Sequence, residues 1–97
     1  MRNLIWLDSA LNDLARLREF IAKENAGAAK RAAEAMKEAT KRLTDFPLMG
    51  KPIEGLSDYR DFLIRFGVGG YVLRYRIHEN EIYVIHIRHY REENFKI

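Results

Sequence analysis

The chain contains no cysteine, and it has only two prolines among its 97 residues. Without cysteine, disulfide bonds and thiolate metal sites are excluded, and the cytoplasm becomes the favoured compartment. The longest apolar run near the start, Leu4 to Leu7, is too short for a secretory signal or a membrane span. We therefore expect a cytoplasmic protein that makes no use of a membrane.

The composition is that of a folded globular chain. Hydrophobic residues make up 47% and charged residues 32%, so the chain can form an apolar core. Ninety-seven residues suffice for one domain and not for two, which predicts a single domain over residues 1–97. The formal net charge of +3 suits an acidic partner or a nucleic acid, although many unrelated domains share it.

Two stretches of the N-terminal half have helical periodicity. Apolar residues recur every three or four positions at Leu7, Leu11, Leu14, Leu17 and Ile21, with Phe20 beside them, and again at Ala29, Ala32, Met36, Ala39, Leu43 and Phe46. Asp8 and Ser9 are predicted to start the first helix, a break near Asn25 and Gly27 separates the two, and Pro47 ends the second. A break this short predicts an antiparallel helical hairpin.

The C-terminal half changes to the alternation of β-strands. Residues 3–7 predict a short strand that joins a sheet edge, and residues 47–58 read as a loop. Strands are predicted over 60–66, 71–78 and 81–88, with turns at 67–70 and at Asn80. The expected fold class is α+β, in the order β-α-α-β-β-β, with the helical hairpin packed on a small antiparallel sheet.

The two faces of the predicted strands differ in chemistry. The odd-numbered face, with Leu73, Tyr75, Ile77, Ile85 and Ile87, is the expected core face. The even-numbered face combines Val72 with a predicted docking set of Arg74, Arg76, Ile82, Val84, His86 and Arg88. A half-apolar face rich in arginine is a plausible surface for a second polypeptide. The alternative is an ordinary solvated sheet face.

Several short segments resemble the RelE/ParE superfamily of toxins from type II toxin–antitoxin systems. They are a strand-to-helix start at 5–10 followed by Asp13-Leu14, helix ends at 20–25 and 43–47, Gly50, the pair Arg60-Asp61, a central strand at 71–77 and a His-x-Arg exit at 85–91. The resemblance covers essentially the whole chain. It implies the fold expected above, no cofactor, and a cognate ParD-like antitoxin that forms a hetero-oligomer with the toxin and links it to operator DNA.

The resemblance leaves two activities open. RelE-like members cut mRNA on ribosomes, and the residues that could serve here are Arg60, Arg65, His89, Tyr90 and Arg91. ParE-like members are thought to poison DNA gyrase, and the residues predicted to bind that target are Arg60, His89, Arg91 and Phe95. The ParE-like version is favoured for three reasons: the loop carries only Lys51, the sequence has no clear glutamate base because Glu54 lies in a loop, and the His-x-Arg exit with Arg60-Asp61 looks more ParE-like.

Other interpretations of these residues remain open at this stage. One alternative is that Arg60-Asp61 is structural at the start of a strand, and another is that His89 only packs locally, as lone histidines usually do. His78 and His86 lack partners at metal-ligand spacing, so no metal site is predicted. An inactive relative that survives only within an autorepressor complex is the third alternative.

Overall fold

Two helices pack on one five-stranded sheet in the computed structural model, which describes residues 3–66 and 69–90. The elements are β1 (Asn3–Trp6), α1 (Asp8–Glu24), α2 (Ala26–Asp45), β2 (Lys51–Ile53), β3 (Leu56–Phe66), β4 (Gly69–His78) and β5 (Glu81–His89). The predicted α+β class and helical hairpin are confirmed. The sheet has one strand more than predicted, because residues 47–58 are not all loop.

The unpredicted strand β2 lies at a sheet edge and pairs antiparallel with β3. Its sequence includes Pro52, which cannot donate a backbone hydrogen bond and is tolerated in a sheet only at edges or irregularities. Gly55 follows in the turn to β3 with φ +80, a left-handed conformation that favours glycine. Proline and glycine in one short segment therefore indicated a loop where an edge strand and a tight turn occur.

The start of α1 differs from the prediction. Helix α1 begins at Asp8, its N-cap residue is Leu7, and no side chain caps it. The Ser9 hydroxyl, predicted to help start the helix, donates instead to the carbonyl oxygen of Ile85 at 2.6 Å. Asp8 lies in the first turn, where its negative charge interacts favourably with the positive end of the helix dipole.

The hairpin turns at a single residue, Asn25. Its backbone is extended, and its side-chain oxygen accepts from the N–H of Ala28 at 3.0 Å, as predicted for a cap. Gly27 lies within α2 rather than in the break. At the other end, Phe46 is the C-cap of α2 and Pro47 follows it, since proline cannot continue a helix.

The strand order is β1-β5-β4-β3-β2, so β1 joins the edge as predicted. β1 pairs parallel with β5, whereas the other three pairs are antiparallel, so the sheet is mixed. A parallel pair needs a long connection, and here the hairpin and three strands supply it.

Both helices cover one face of the sheet. The largest fully buried side chains are Tyr75, Leu43, Leu73, Ile82, Ile87 and Val84. The stripe of α2 is confirmed at Ala32, Met36, Ala39 and Leu43, all of which are buried. Phe20 and Phe46 were predicted to extend the stripes but are 66% and 63% exposed. Phe20 points about 100° away from the inward-facing Ile21, and Phe46 lies beyond the end of α2.

Candidate functional site

The sheet face that the helices leave uncovered, called the open face below, carries three cross-strand rows of side chains. The strand register gives the rows Tyr59–Arg76–Tyr83–Ile5, Lys51–Asp61–Arg74–His86 and Leu63–Val72–Arg88. Side chains directly opposite each other on neighbouring strands share a face and interact. The three arginines predicted for the docking surface therefore lie on one face, one in each row.

Two residues of the predicted docking set do not belong to this face. Ile82 and Val84 are completely buried in the core beneath the helices. The cause is a β-bulge in β5: Arg74 pairs with His86 and Tyr75 with Val84, so Ile85 is an extra residue. The bulge reverses which residues face inward, so strict alternation assigned Ile82 and Val84 to the wrong face and Ile85 to the core.

Arg74 is neutralised within the chain. Its Nε and Nη2 donate to the two carboxylate oxygens of Asp61 at 2.9 and 3.0 Å. This two-pronged pair joins β3 to β4, and both side chains are largely shielded from solvent. Asp61 does not pair with its neighbour Arg60, because successive strand residues point to opposite faces. The interpretation of Arg60-Asp61 as structural thus agrees with the contacts that each residue makes.

Arg76 lies two residues after Arg74 on β4 and has a different environment. Its guanidinium carbon lies 5.6 Å from the ring centroid of Tyr59, a cation–π distance. Its Nε is enclosed and has no hydrogen-bond partner. Within residues 3–66 and 69–90, no carboxylate forms an ion pair with Arg76.

His86 and Arg88 are engaged with their own chain. His86 Nδ1 lies 2.8 Å from a carboxylate oxygen of Asp13. Arg88 Nη1 donates to the carbonyl oxygens of His89 and Tyr90 at 3.2 and 3.1 Å, which folds the side chain over the end of β5. Both residues therefore contribute to local structure as well as to the open face.

Asp13, named above only as part of the family resemblance, is a structural residue whose role the sequence did not predict. The same carboxylate oxygen accepts from the backbone N–H of Ile87 at 3.1 Å, and Ser9 binds the carbonyl of Ile85. β1 pairs with β5 only as far as Val84, so α1 satisfies the outer edge of β5 beyond it. The available signal was the spacing: Ser9 and Asp13 are four residues apart, on one face of a helix.

Arg60, proposed for both catalysis and target binding, secures the segment that follows α2. Its Nη1 donates to the carbonyl of Gly50 at 2.7 Å and to that of Leu48 at 3.3 Å. The buried Tyr75 hydroxyl donates to the Pro47 carbonyl at 2.7 Å and accepts from the N–H of Gly50 at 2.9 Å. A Cβ on Gly50 would lie 2.6 Å from that hydroxyl oxygen, so only glycine fits. Burial raises the pKa of Tyr75, while the Gly50 N–H and Arg60 oppose the rise.

This segment, residues 46–49, is called the exit loop below. Its three largest apolar side chains, Phe46, Leu48 and Met49, are 63%, 68% and 39% exposed. Such exposure is costly in water, yet the backbone that carries these side chains is held by Tyr75 and Arg60. A fixed backbone that presents apolar side chains is typical of a surface that contacts another protein.

Arg60, Arg65 and His89, three of the residues considered for catalysis, do not converge. Arg60 is opposite Tyr75 and His89 is opposite Tyr71, which separates them by about 13 Å along β4 and about 10 Å across it. Arg65 projects from the other face of β3. His89 lies in an aromatic cluster, with ring centroids 5.6 Å from Tyr71 and 5.0 Å from Tyr90.

An apolar groove of about 340 Å³ runs between the helices beside the end of β1. Its lining includes Trp6, Leu11, Leu14 and Met36, and its rim includes Arg18 and Lys37. Leu11, 47% exposed, was predicted to lie in the core but faces this groove. Apolar grooves of this kind commonly accept the side chains of a partner helix.

Two predicted target-binding residues, Arg91 and Phe95, lie outside the described residues. Within the described residues, no group of three or more His, Asp or Glu side chains could hold a metal ion. None of the helices in that part of the chain has the length and apolar character needed to cross a membrane.

Comparison with known proteins identifies the family. The model of the ParE toxin of the type II toxin–antitoxin system parDE matches residues 4–94. Two curated relatives from Caulobacter vibrioides are both 29% identical: Toxin RelE2 over 89 residues, covering 92% of this chain and 96% of its own, and Toxin RelE3 over 80 residues, covering 82% and 85%.

A solved structure has the same fold. A chain of the chromosomal ParDE system from P. aeruginosa superposes with a TM-score of 0.71 at 21% identity, covering 92% of this chain and 96% of its own. The helical hairpin on a mixed five-stranded sheet is thus shared with that structure. The chain belongs to the ParE toxin family and is a type II toxin, whose partner is an antitoxin.

Proposed function

We propose that this toxin acts by binding and inhibiting DNA gyrase in the cytoplasm, which blocks replication. The observation that carries the proposal is that Arg60, Arg65 and His89, three of the residues considered for RNA cleavage, do not surround one point in the structure. An endonuclease needs a base, an acid and cationic groups around one phosphate. Arg60 is engaged with backbone carbonyls, Arg65 is on the opposite face, and His89 lies in an aromatic cluster.

The exit loop gives the proposal a contact surface. Phe46, Leu48 and Met49 are exposed on a backbone held by buried hydrogen bonds. A protein that acts by binding benefits from such preorganised apolar side chains, since little conformational entropy is lost on contact. Arg60 therefore supports a target-binding surface from behind rather than contacting the target. The roles of His89, Arg91 and Phe95 at gyrase remain predictions.

The antitoxin is proposed to cover two features of the toxin. A helix of the antitoxin would lie in the apolar groove, and an extended segment would follow the sheet. Burial of these surfaces would stabilise the small toxin by linkage and form the hetero-oligomer. Contact with operator DNA would then come through the antitoxin.

The decisive experiment compares two targets with the same purified toxin. Supercoiling and DNA-cleavage assays with purified gyrase are run beside a translation assay with ribosomes and mRNA. We expect inhibited supercoiling and trapped cleaved DNA, with translation unaffected, and added antitoxin should reverse the effect. Ribosome-dependent mRNA cleavage without any effect on gyrase would overturn the proposal.

The RelE-like alternative has its own support. The two curated relatives are named RelE toxins, and His89 lies beside Tyr90, which is 40% exposed and able to stack on a base. In that case His89→Gln should abolish mRNA cleavage. A chain that neither inhibits gyrase nor cleaves mRNA would be the inactive relative that acts only with its antitoxin.

A further inference from the structure

We propose that Arg76 is the anchor of the antitoxin on the open face, where it receives an aspartate or glutamate side chain. The inference rests on the proposed role of this face in antitoxin binding and names the chemical group that the toxin recognises. The equally central Arg74 is not that anchor.

The three arginines of the predicted docking set, all on the open face, differ in what neutralises them. Arg74 is paired in two-pronged fashion with Asp61. Arg88 donates to two backbone carbonyls at the end of β5. Arg76 has neither a carboxylate nor a carbonyl partner among the described residues, although it is half-buried. A half-buried guanidinium that lacks a counter-ion is destabilising and is relieved by an incoming anion.

The acidic residue nearest in register is used elsewhere. Burial and then the carboxylates of Glu81 and Glu79 raise the pKa of Tyr83, so both carboxylates act on that tyrosine. Tyr83 is directly opposite Arg76 in the first row of the open face. Arg76 therefore lies between two tyrosines, Tyr59 and Tyr83, and neither Glu81 nor Glu79 forms an ion pair with it.

The surroundings of Arg76 also set the direction of approach. Tyr59 lies against the guanidinium at 5.6 Å, and the Nε is enclosed, so only the outer two nitrogens can meet a partner. Two parallel N–H groups match the two oxygens of a carboxylate, which is the geometry that arginine provides and lysine does not. The aromatic neighbours hold the group in one orientation and lower the local dielectric, which strengthens the pair.

The partner that fits is a polypeptide segment laid across the sheet. The row that contains Arg76 ends in Ile5 on the edge strand β1, and the third row contributes Leu63, which is 48% exposed. An acidic residue flanked by apolar ones would therefore find both charge and apolar contacts. The antitoxin is the partner that the family implies, and the net charge of +3 on the toxin favours an acidic segment.

The test is a binding series with purified cognate antitoxin measured by titration calorimetry. Arg76→Lys keeps the charge but loses the paired donors, and we expect about tenfold weaker binding, with Arg76→Gln weaker still. Arg42→Lys is the matched control, because Arg42 also lies over an aromatic ring, that of Phe62 at 5.8 Å, but on α2. The control should bind within about twofold of the parent.

A second measurement identifies the acceptor. Each antitoxin Asp or Glu is changed in turn to Asn or Gln. The change at the residue that pairs with Arg76 should weaken binding to the parent toxin, but it should not weaken binding to the Arg76→Gln toxin any further. Thermal unfolding of each toxin variant checks that the fold is retained. Unchanged affinity of a folded Arg76→Lys toxin would overturn the inference.

A nucleic acid is the competing occupant of the same cation. Fluorescence anisotropy with a labelled single-stranded RNA tests it, and an RNA affinity that depends on Arg76 while antitoxin binding does not would also overturn the inference. Neither result depends on gyrase. A toxin that fails to inhibit gyrase but binds antitoxin through Arg76 would contradict the proposed function and leave the inference about Arg76 intact.

Discussion

Replacing Tyr75 by phenylalanine removes one oxygen atom from the middle of the molecule and leaves the ring in place. That oxygen makes two hydrogen bonds, to the carbonyl of Pro47 and from the N–H of Gly50. These bonds, with the guanidinium of Arg60, hold the chain where it leaves α2 and turns into β2. The variant Tyr75→Phe therefore tests whether a buried hydroxyl fixes the exit loop.

The expected loss of stability follows from the two groups left behind. The N–H of Gly50 is buried and would have no partner, which costs about 1–3 kcal/mol, whereas Pro47 is half-buried and water can replace part of its bond. No cavity term is added because the ring remains. The free energy of unfolding should fall by about 2 kcal/mol, which lowers the Tm of a domain this small by about 8–16 °C.

Tyr71→Phe provides the matched control. Tyr71 is also a buried tyrosine of β4, 3% exposed, but no hydrogen bond of its hydroxyl to the described residues occurs. Urea unfolding followed by circular dichroism should find Tyr71→Phe within about 0.5 kcal/mol of the parent. If Tyr75→Phe were no more destabilising than Tyr71→Phe, the hydroxyl would not be what holds the loop, and the reasoning would be refuted.

Three further predictions concern stability. Val84→Ala should lower the free energy of unfolding by about 2 kcal/mol in urea titrations, because Val84 is fully buried. A loss below about 0.5 kcal/mol would mean that Val84 lies on the open face and not in the core. Asp61→Asn should cost about 1–2 kcal/mol by thermal unfolding, since it leaves the guanidinium of Arg74 without its charged partner; an unchanged Tm would mean that the pair contributes nothing. Burial raises the pKa of Tyr75 above 10.0, so the protonated ring stabilises the fold below pH 10 and this contribution is lost as the pH rises further; Tyr75→Phe should show a shallower alkaline loss, and an equal slope would contradict the assignment.

Much of the fold could be predicted from local patterns. The stripe of small and apolar residues on α2 and the cap at Asn25 identify the hairpin, because helix periodicity and capping depend on residues only three or four positions apart. The alternation in β4 correctly identifies Leu73 and Tyr75 as core residues. These features depend on residues that are close together in the chain, so the sequence alone is enough to predict them.

The assignment of β5 shows where local patterns stop. Ile82, Val84, Ile85 and Ile87 are all apolar, so the sequence contains no sign that one of them is an extra residue. Only the pairing with β4 and the support that α1 gives to the backbone at Ile85 determine the position of the bulge. Before that position is known, no periodicity can state which side chains are available to a partner.

By itself the sequence determined the class of the fold, the helical hairpin and the family, since each depends on residue type and short-range order. The tertiary structure decided which arginine of the open face is paired with a carboxylate and which is not. Arg74 and Arg76 look equivalent along the chain, but Asp61 is thirteen residues from Arg74 and becomes its partner only through the register of β3 against β4. That Arg74 has a carboxylate partner among the described residues and Arg76 has none is a consequence of that register, because charge is neutralised between strands and not along one.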